Sequence, residues 1–293
     1  MSHESVLQTT NSQAFSSPGT PGVAVRLAAR DGLLTSHTSG LAPGIAQANI
    51  VILPSRYASA FREFCLANPQ ACPLLEESPL PGDPTFPQMC AISSCDVSSD
   101  VPAYLIWNNG ISTLAKHGEV ADLWALYNIG PIEERLVAFA LGCSFSFESA
   151  LIQAGIPLAH ISAGRNVAMY ITNIPTIDVS PFFGSKVVVS MRPMTREHSL
   201  IAARVCESFP RVHGVPIHIG DPSFLGISDI YKPDFGDQPL PMGENEISVF
   251  WACGVTPQCA LIEAKLPFAI THAPGCMLVL DVTNEEIRGE ARR

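Results

Sequence analysis

Apolar residues along this chain fall into short, dense runs broken by Pro, Gly, Asn and Ser. Ile50 to Leu53 follows the turn former Pro43–Gly44 and predicts a strand stopped by Pro54. Tyr57, Phe61, Phe64 and Cys65 then recur at helical spacing, so a helix is expected from Ser55 or Arg56 to just before Asn68–Pro69. Residues 73–100 are rich in proline and predict irregular chain. Tyr104 to Trp107 reads as a strand closed by the hairpin-type turn Asn108-Asn109-Gly110, and Asp122 to Tyr127 as a helical turn. Leu136 to Leu141 is almost uninterrupted in apolar character. Such a run predicts a strand buried on both faces and, by extension, a parallel sheet.

That strand begins a word the chain uses twice. Leu136–Leu141 is followed by Gly142-Cys143-Ser144, a helix from Ser146 to Ala154, and a further strand over Pro157–Ile161. Ile247–Ala252 is followed by Cys253-Gly254-Val255-Thr256, a helix over Pro257–Lys265 with proline in its first turn, and a strand over Phe268–Thr271. At an offset of 110 the two words share eight identities over the 27 pairs starting from Phe139 to Arg165, with Cys143 on Cys253. Two accounts fit: shared composition of two buried units, or a pseudo-twofold pair in one parallel sheet. Under both, each cysteine stands between a strand's C-terminal end and a helix's first turn, the edge at which open α/β sheets bind ligands. Between the words lie strands over Arg165–Ile174, Lys186–Met191 and Val215–Ile219, and a helix over Thr195–Phe209. The expected fold is therefore α/β. A three-layer domain with a mixed or parallel sheet takes residues 26–162 and 230–293, a smaller α+β domain takes 163–229, and residues 1–25 form a loose tail.

Composition narrows the class. The 293 residues are 47% hydrophobic and 15% charged, against roughly 25% charged in an average domain, which builds a core and excludes disorder. The formal charge of −10 argues against nucleic acid, whose binding rests on phosphate neutralisation, but not against a small anion held by local arginines. No apolar run approaches the roughly 20 residues of a membrane span, and the first residues lack the basic and apolar regions of a secretory signal. Nine cysteines, an odd number without framework spacing, suit a reducing compartment: the cytoplasm, with the mitochondrial matrix as alternative.

Cys143 is the first candidate for chemistry, because free backbone N–H groups and the dipole at a helix N-terminus lower a thiol pKa. Cys253 stands in the equivalent place. Glu148 and His272 complete the candidate catalytic set, the histidine as an acid or base at a strand end. Ser144, Arg165, Asn166, Arg192, His218, Asp221, Gly254 and Thr256 are candidate substrate-binding residues, the arginines for bidentate capture of a carboxylate. Each also has a plain structural account: buried thiols as small hydrophobes, Glu148 as a first-turn acid, Asp221 as a turn former. His213 and His218 have opposite parity in a strand and do not suggest a shared metal. No GxGxxG, HExxH or GxSxG occurs, so no nucleotide cofactor is expected; a divalent cation such as Mn or Mg, neutralising a carboxylate, stays open.

Longer words carry a resemblance. GLAPGIAQANIVILP (40–54), FCLANPQACPLLE (64–76), LVAFALGCSFSFESALIQAGIP (136–157), GRNVAMYITNIP (164–175), VVVSMRPM (187–194), HGVPIHIGDP (213–222), DFGD (234–237), FWACGVTPQ (250–258) and FAITHAPGCM (268–277) occur in order. Over residues 22–285 the chain resembles a family of hydro-lyases whose mitochondrial relatives are D-glutamate cyclases. The resemblance implies a two-domain α/β lyase that removes water, the known relative converting D-glutamate reversibly to 5-oxo-D-proline. For that chemistry the residues suggest Arg165 on the α-carboxylate with Arg192 in reserve, His272 as proton shuttle, and Cys143 as acid or transient thioester. The alternatives are a cofactor-independent racemase using Cys143 and Cys253, and a non-catalytic protein that binds small carboxylates. Partners are a small anionic amino acid or carboxylate and, optionally, a second copy in a homodimer, with no nucleic acid and no membrane.

Overall fold

The structure, a computed structural model, describes residues 14–92 and 95–289. The tail expected over residues 1–25 lies outside them as far as residue 13. Its end does not behave as a tail: Gly22–Arg30 is helix α1, with Val25 buried. Arg26 on α1, itself buried, donates to the Val279 carbonyl at 2.7 Å and meets Asp281 Oδ1 at 2.8 Å, which ties the helix to a strand far away in sequence.

The larger sheet has seven strands: β1 (Ile45–Pro54), β2 (Leu74–Glu77), β3 (Tyr104–Asn108), β4 (Ile111–Leu114), β5 (Leu136–Gly142), β10 (Ala269–His272) and β11 (Leu278–Thr283). The order is β2-β5-β1-β10-β3-β4, with β11 also on β1. β10 and β11 run on from one another along the same edge of β1, at Val51↔Thr271 and Ala48↔Leu278, and the chain leaves the sheet between them over residues 273–277. The smaller sheet, in the order β6-β7-β9-β8, joins β6 (Ala168–Pro175), β7 (Lys186–Thr195), β9 (Glu246–Ala252) and β8 (His218–Ile219). β9 thus pairs with β7 although the sequence reading grouped residues 230–293 with the larger sheet.

Helices and sheets mix through the chain as the α/β reading expects, but the pairing is antiparallel at every described ladder. The expectation of parallel strands is corrected here, and its physical source is plain. β5 is buried at all seven positions because both faces of its sheet are covered, and two-sided burial alone produces a continuous apolar run. On one face Ala138 and Ala140 meet Phe147 and Leu151 of α4 (Phe145–Gln153) and Ala202 and Cys206 of α6 (Arg196–Cys206). On the other, Val137, Phe139 and Leu141 meet Phe61 and Phe64 of α2 (Ala58–Ala67) and Leu261 of α7 (Thr256–Ala264).

Local signals hold where they are local. Asn109 and Gly110 take positive φ in the β3–β4 hairpin, α3 (Glu119–Asn128) covers the expected helical turn, and Thr195 caps α6 by accepting the His198 N–H. Pro157–Ile161 is not a strand. It holds the start of a one-turn helix, α5 (Ala159–Ser162), because β5 already has β1 and β2 on its two edges. The repeated words therefore match only as far as strand, cysteine and helix.

Candidate functional site

Those matched corners, carried by separate sheets, open into one narrow cleft of about 10 Å³, roughly the room of a single water molecule. Cys143 and Ser144 reach it from the end of β5, Cys253 and Gly254 from the end of β9, Asn49 from β1, and Asn166 from the segment before β6. Met169, Gly275 and Met277 close it with apolar surface.

Both thiols are buried, and burial decides their acidity. It pushes Cys143 well above the ordinary thiol range, against the opposing pull of the Phe145 N–H and the Arg192 charge. Cys253 is pushed up to about 11 by burial, opposed by the Val255 N–H, Arg192 and the Gly254 N–H. The expected lowering of the thiol pKa at a helix N-terminus is thus present as a contribution and is outweighed by desolvation. Cys253 Sγ also lies 3.5 Å from Met169 Sδ.

A buried charge network stands directly behind Ser144. Arg192 on β7 lies between the rings of Phe147 and Trp251, with its guanidinium carbon 5.2 and 5.4 Å from their centroids. Its Nε and Nη2 donate to Glu148 Oε1, Nη1 donates to Ser190 Oγ at 3.1 Å, and Nη2 donates to Ser144 Oγ at 3.0 Å. His160 Nε2 meets the same Glu148 oxygen at 2.9 Å. Burial by itself would raise the Glu148 carboxyl, but the charges of Arg192 and His160 and the hydrogen bonds from both hold it below its ordinary value. Arg192 is therefore not the free carboxylate clamp the sequence suggested, because Glu148 already takes its charge. Ser144 gains from this arrangement. Its oxygen accepts from a permanent cation, which leaves its own proton to donate.

Several candidates lie elsewhere. His272 is buried with Nδ1 at 3.1 Å from the Ile50 N–H, its Nε2 unpartnered, and burial brings its pKa down to about 4; it does not line the cleft. Arg165 is exposed, donates to the Gln238 carbonyl at 3.0 Å, and lines an adjoining cleft of about 20 Å³ together with His160 and Asn166. His218 Nε2 meets the Asp221 carbonyl at 2.8 Å, and Asp221 caps the Ser223 N–H at 2.9 Å; both belong to a turn at the edge of the smaller sheet. Thr256 donates to the Cys253 carbonyl at 2.8 Å and accepts the Val188 N–H at 3.0 Å, pinning the second corner to β7.

Asn166 belongs to both clefts, and its Oδ1 is buried without a partner. Asn49 donates to the Gly142 carbonyl at 2.8 Å and packs so closely on Gly254 that a Cβ there would stand 2.0 Å from its amide nitrogen. Only glycine fits. Asn49 and His160 were not singled out as site residues from the sequence. Asn49 had a legible signal, a buried amide interrupting an apolar strand; His160 had none, because its segment read as a strand. Among the described residues no group of three His, Cys, Asp or Glu stands together as a metal site, and no helix is long and apolar enough to cross a membrane.

Comparison with known proteins adds identity to this geometry. A family model described as D-glutamate cyclase matches residues 137–281. A protein of Verminephrobacter eiseniae named "Putative hydro-lyase" is 48% identical over 89% of this chain and 90% of its own length. A similarly named protein of Methylobacterium radiotolerans is 46% identical over 92% of this chain and 97% of its own. Among solved structures, a nitrogen repressor-like protein of Methanococcus jannaschii aligns over 88% of this chain and 98% of its own, with a TM-score of 0.35 and 11% identity.

Proposed function

Because this chain belongs to the hydro-lyase family that matches the D-glutamate cyclase model, we propose that it is a water-removing lyase that closes D-glutamate reversibly to 5-oxo-D-proline. In this reaction the substrate's amine attacks its own side-chain carboxyl carbon. A C–N bond forms, a C–O bond breaks, and the departing oxygen takes two protons from nitrogen to leave as water. Holding nitrogen and carbon in contact removes the entropy of encounter, which is a large share of the barrier for any ring closure.

The cleft offers complementary atoms for these steps. Asn166 Oδ1, buried and lacking a donor, accepts from the amine. Ser144 donates its remaining proton to the carboxyl oxygen on which charge develops, and Arg192 behind it strengthens that donation. With its pKa raised by burial, Cys143 carries its proton at neutral pH. It therefore acts as an acid toward the leaving oxygen and regains its proton from the substrate nitrogen, so that both protons of the water derive from nitrogen, in preference to a nucleophile forming a thioester. Arg165, at the adjoining cleft that shares Asn166, holds the substrate's α-carboxylate. The observation that carries the reading is the meeting of both cysteine corners in one cleft whose available groups are a donor, Ser144, and an acceptor, Asn166.

The test is incubation with a panel of D- and L-amino acids, with and without added Mn²⁺ or Mg²⁺, followed by chiral separation and mass analysis. Loss of one water from D-glutamate is expected, together with its regain from 5-oxo-D-proline. Near-native turnover in both Cys143→Ser and Cys143→Ala would remove Cys143 from the chemistry.

A further inference from the structure

Ring closure with loss of water requires one thiol at most, yet the cleft holds two in matched settings. Cys143 stands two residues before α4 and Cys253 three residues before α7, each helix nine residues long. The Phe145 N–H stabilises charge on the first sulfur, and the Val255 and Gly254 N–H groups do so on the second. The positive charge of Arg192 pulls both toward the thiolate form, although burial outweighs it and leaves both as thiols at neutral pH. Each thiol arrives on its own sheet, β5 carrying one and β9 the other, and both line the same space.

We propose that this cleft also exchanges the α-hydrogen of an amino-acid substrate and inverts the α-carbon, with Cys143 and Cys253 as the two proton-transfer groups. The inference rests on the reading of the cleft as an α-amino-acid site. Cys253 first releases its thiol proton to water; as thiolate it takes the α-hydrogen as a proton, and the electron pair of the broken C–H bond passes to the α-carbon and its carboxyl group. The Cys143 thiol then gives its proton to the opposite face. The products are the other enantiomer, a Cys253 thiol and a Cys143 thiolate, and proton exchange with water restores the starting pair. Atoms and charge balance with no oxidant, reductant or carrier. For inversion the substrate lies reversed, with its α-carboxyl group where the side-chain carboxyl sits in ring closure, so that Ser144 stabilises the charge that appears there.

The experiment is incubation of the full chain in D₂O with D-glutamate and, separately, with D-aspartate, whose shorter side chain cannot close the five-membered ring. α-Deuterium, the enantiomer ratio and water loss are read from the same samples. Deuterium at the α-carbon together with the L-enantiomer is expected for both substrates, and Cys143→Ser and Cys253→Ser are each expected to slow inversion by about 100-fold or more. An α-hydrogen retained through many turnovers of water loss overturns this inference and leaves the cyclase reading standing. Exchange and inversion without water loss from D-glutamate support it and overturn the cyclase reading. Deuterium without inversion, or inversion unchanged in either serine variant, overturns the two-thiol assignment. Absence of both reactions overturns both readings. The wild-type measurement decides the matter even if a variant fails to fold.

Discussion

Arg192 Nη2 donates to Ser144 Oγ at 3.0 Å while the same guanidinium is held by Glu148, so the hydroxyl facing the cleft is backed by a neutralised but still polarising charge. A lone arginine there would have to be desolvated without compensation. Paired with Glu148 and enclosed by Phe147 and Trp251, it is held in place by the protein's own groups.

This pairing can be dissected. Arg192→Met leaves the Glu148 carboxylate buried with only His160, and a loss of roughly 3–5 kcal/mol is expected in urea unfolding. Adding Glu148→Gln should restore much of that stability while turnover remains lost, because Ser144 still lacks its cationic partner. Recovery of turnover in the double variant would show that the Arg192–Ser144 contact does not serve the reaction.

Acid sensitivity follows from two buried histidines. Burial brings His272 and His213 from an ordinary 6.5 down to about 4 each, so both are neutral in the fold. Between those pH values the unfolded chain binds protons that the folded chain refuses, so stability is present above about 6.5 and falls as pH drops toward about 4. Denaturant midpoints at a series of pH values should decline across this window, and His272→Gln should flatten part of the decline. A midpoint independent of pH from 7 to 4 would contradict the burial of these rings.

Glu148 adds a lower window. Its folded carboxyl lies below its ordinary value of 4.5, so its contribution is complete above that pH and is lost as pH falls through the folded pKa. Glu148→Gln is expected to lower stability at neutral pH and to remove the corresponding slope below pH 4.5. The measurement is the same pH series of unfolding curves.

The contact of Gly254 with Asn49 predicts a rescue. Gly254→Ala drives a methyl into the Asn49 amide, and a cost of about 1–3 kcal/mol is expected together with loss of turnover. Asn49→Ala should accommodate that methyl, so the double variant regains thermal stability. Equal melting temperatures for the single and double variants would mean that the strain lies elsewhere.

Thiol chemistry offers a further check. With both cleft thiols raised by burial, inactivation by iodoacetamide should be slow at neutral pH and accelerate continuously up to pH 10. Peptide mapping should place the label on Cys253 before Cys143. Rapid labelling of Cys143 at pH 7 would contradict its protonated, acidic role.

What the sequence determined by itself is local and chemical. The corner at Gly142-Cys143-Ser144, its counterpart at Cys253-Gly254, the Asn109–Gly110 hairpin and the Thr195 cap all follow from residues within a few positions of each other, where turn conformation and helix starts are set. The extended family words placed the chain among hydro-lyases for the same reason, since they are strings of neighbouring residues. Tertiary structure alone decided the rest. Continuous apolar character reports burial on two faces and is silent about strand direction, so β5 read as parallel and lies antiparallel. Nor does any local signal say that β9 joins the smaller sheet, that Glu148 neutralises Arg192 across 44 positions, or that His272 turns into the Ile50 backbone away from the cleft. Those outcomes depend on which distant groups must satisfy each other once water is excluded, and only the folded chain brings those groups together.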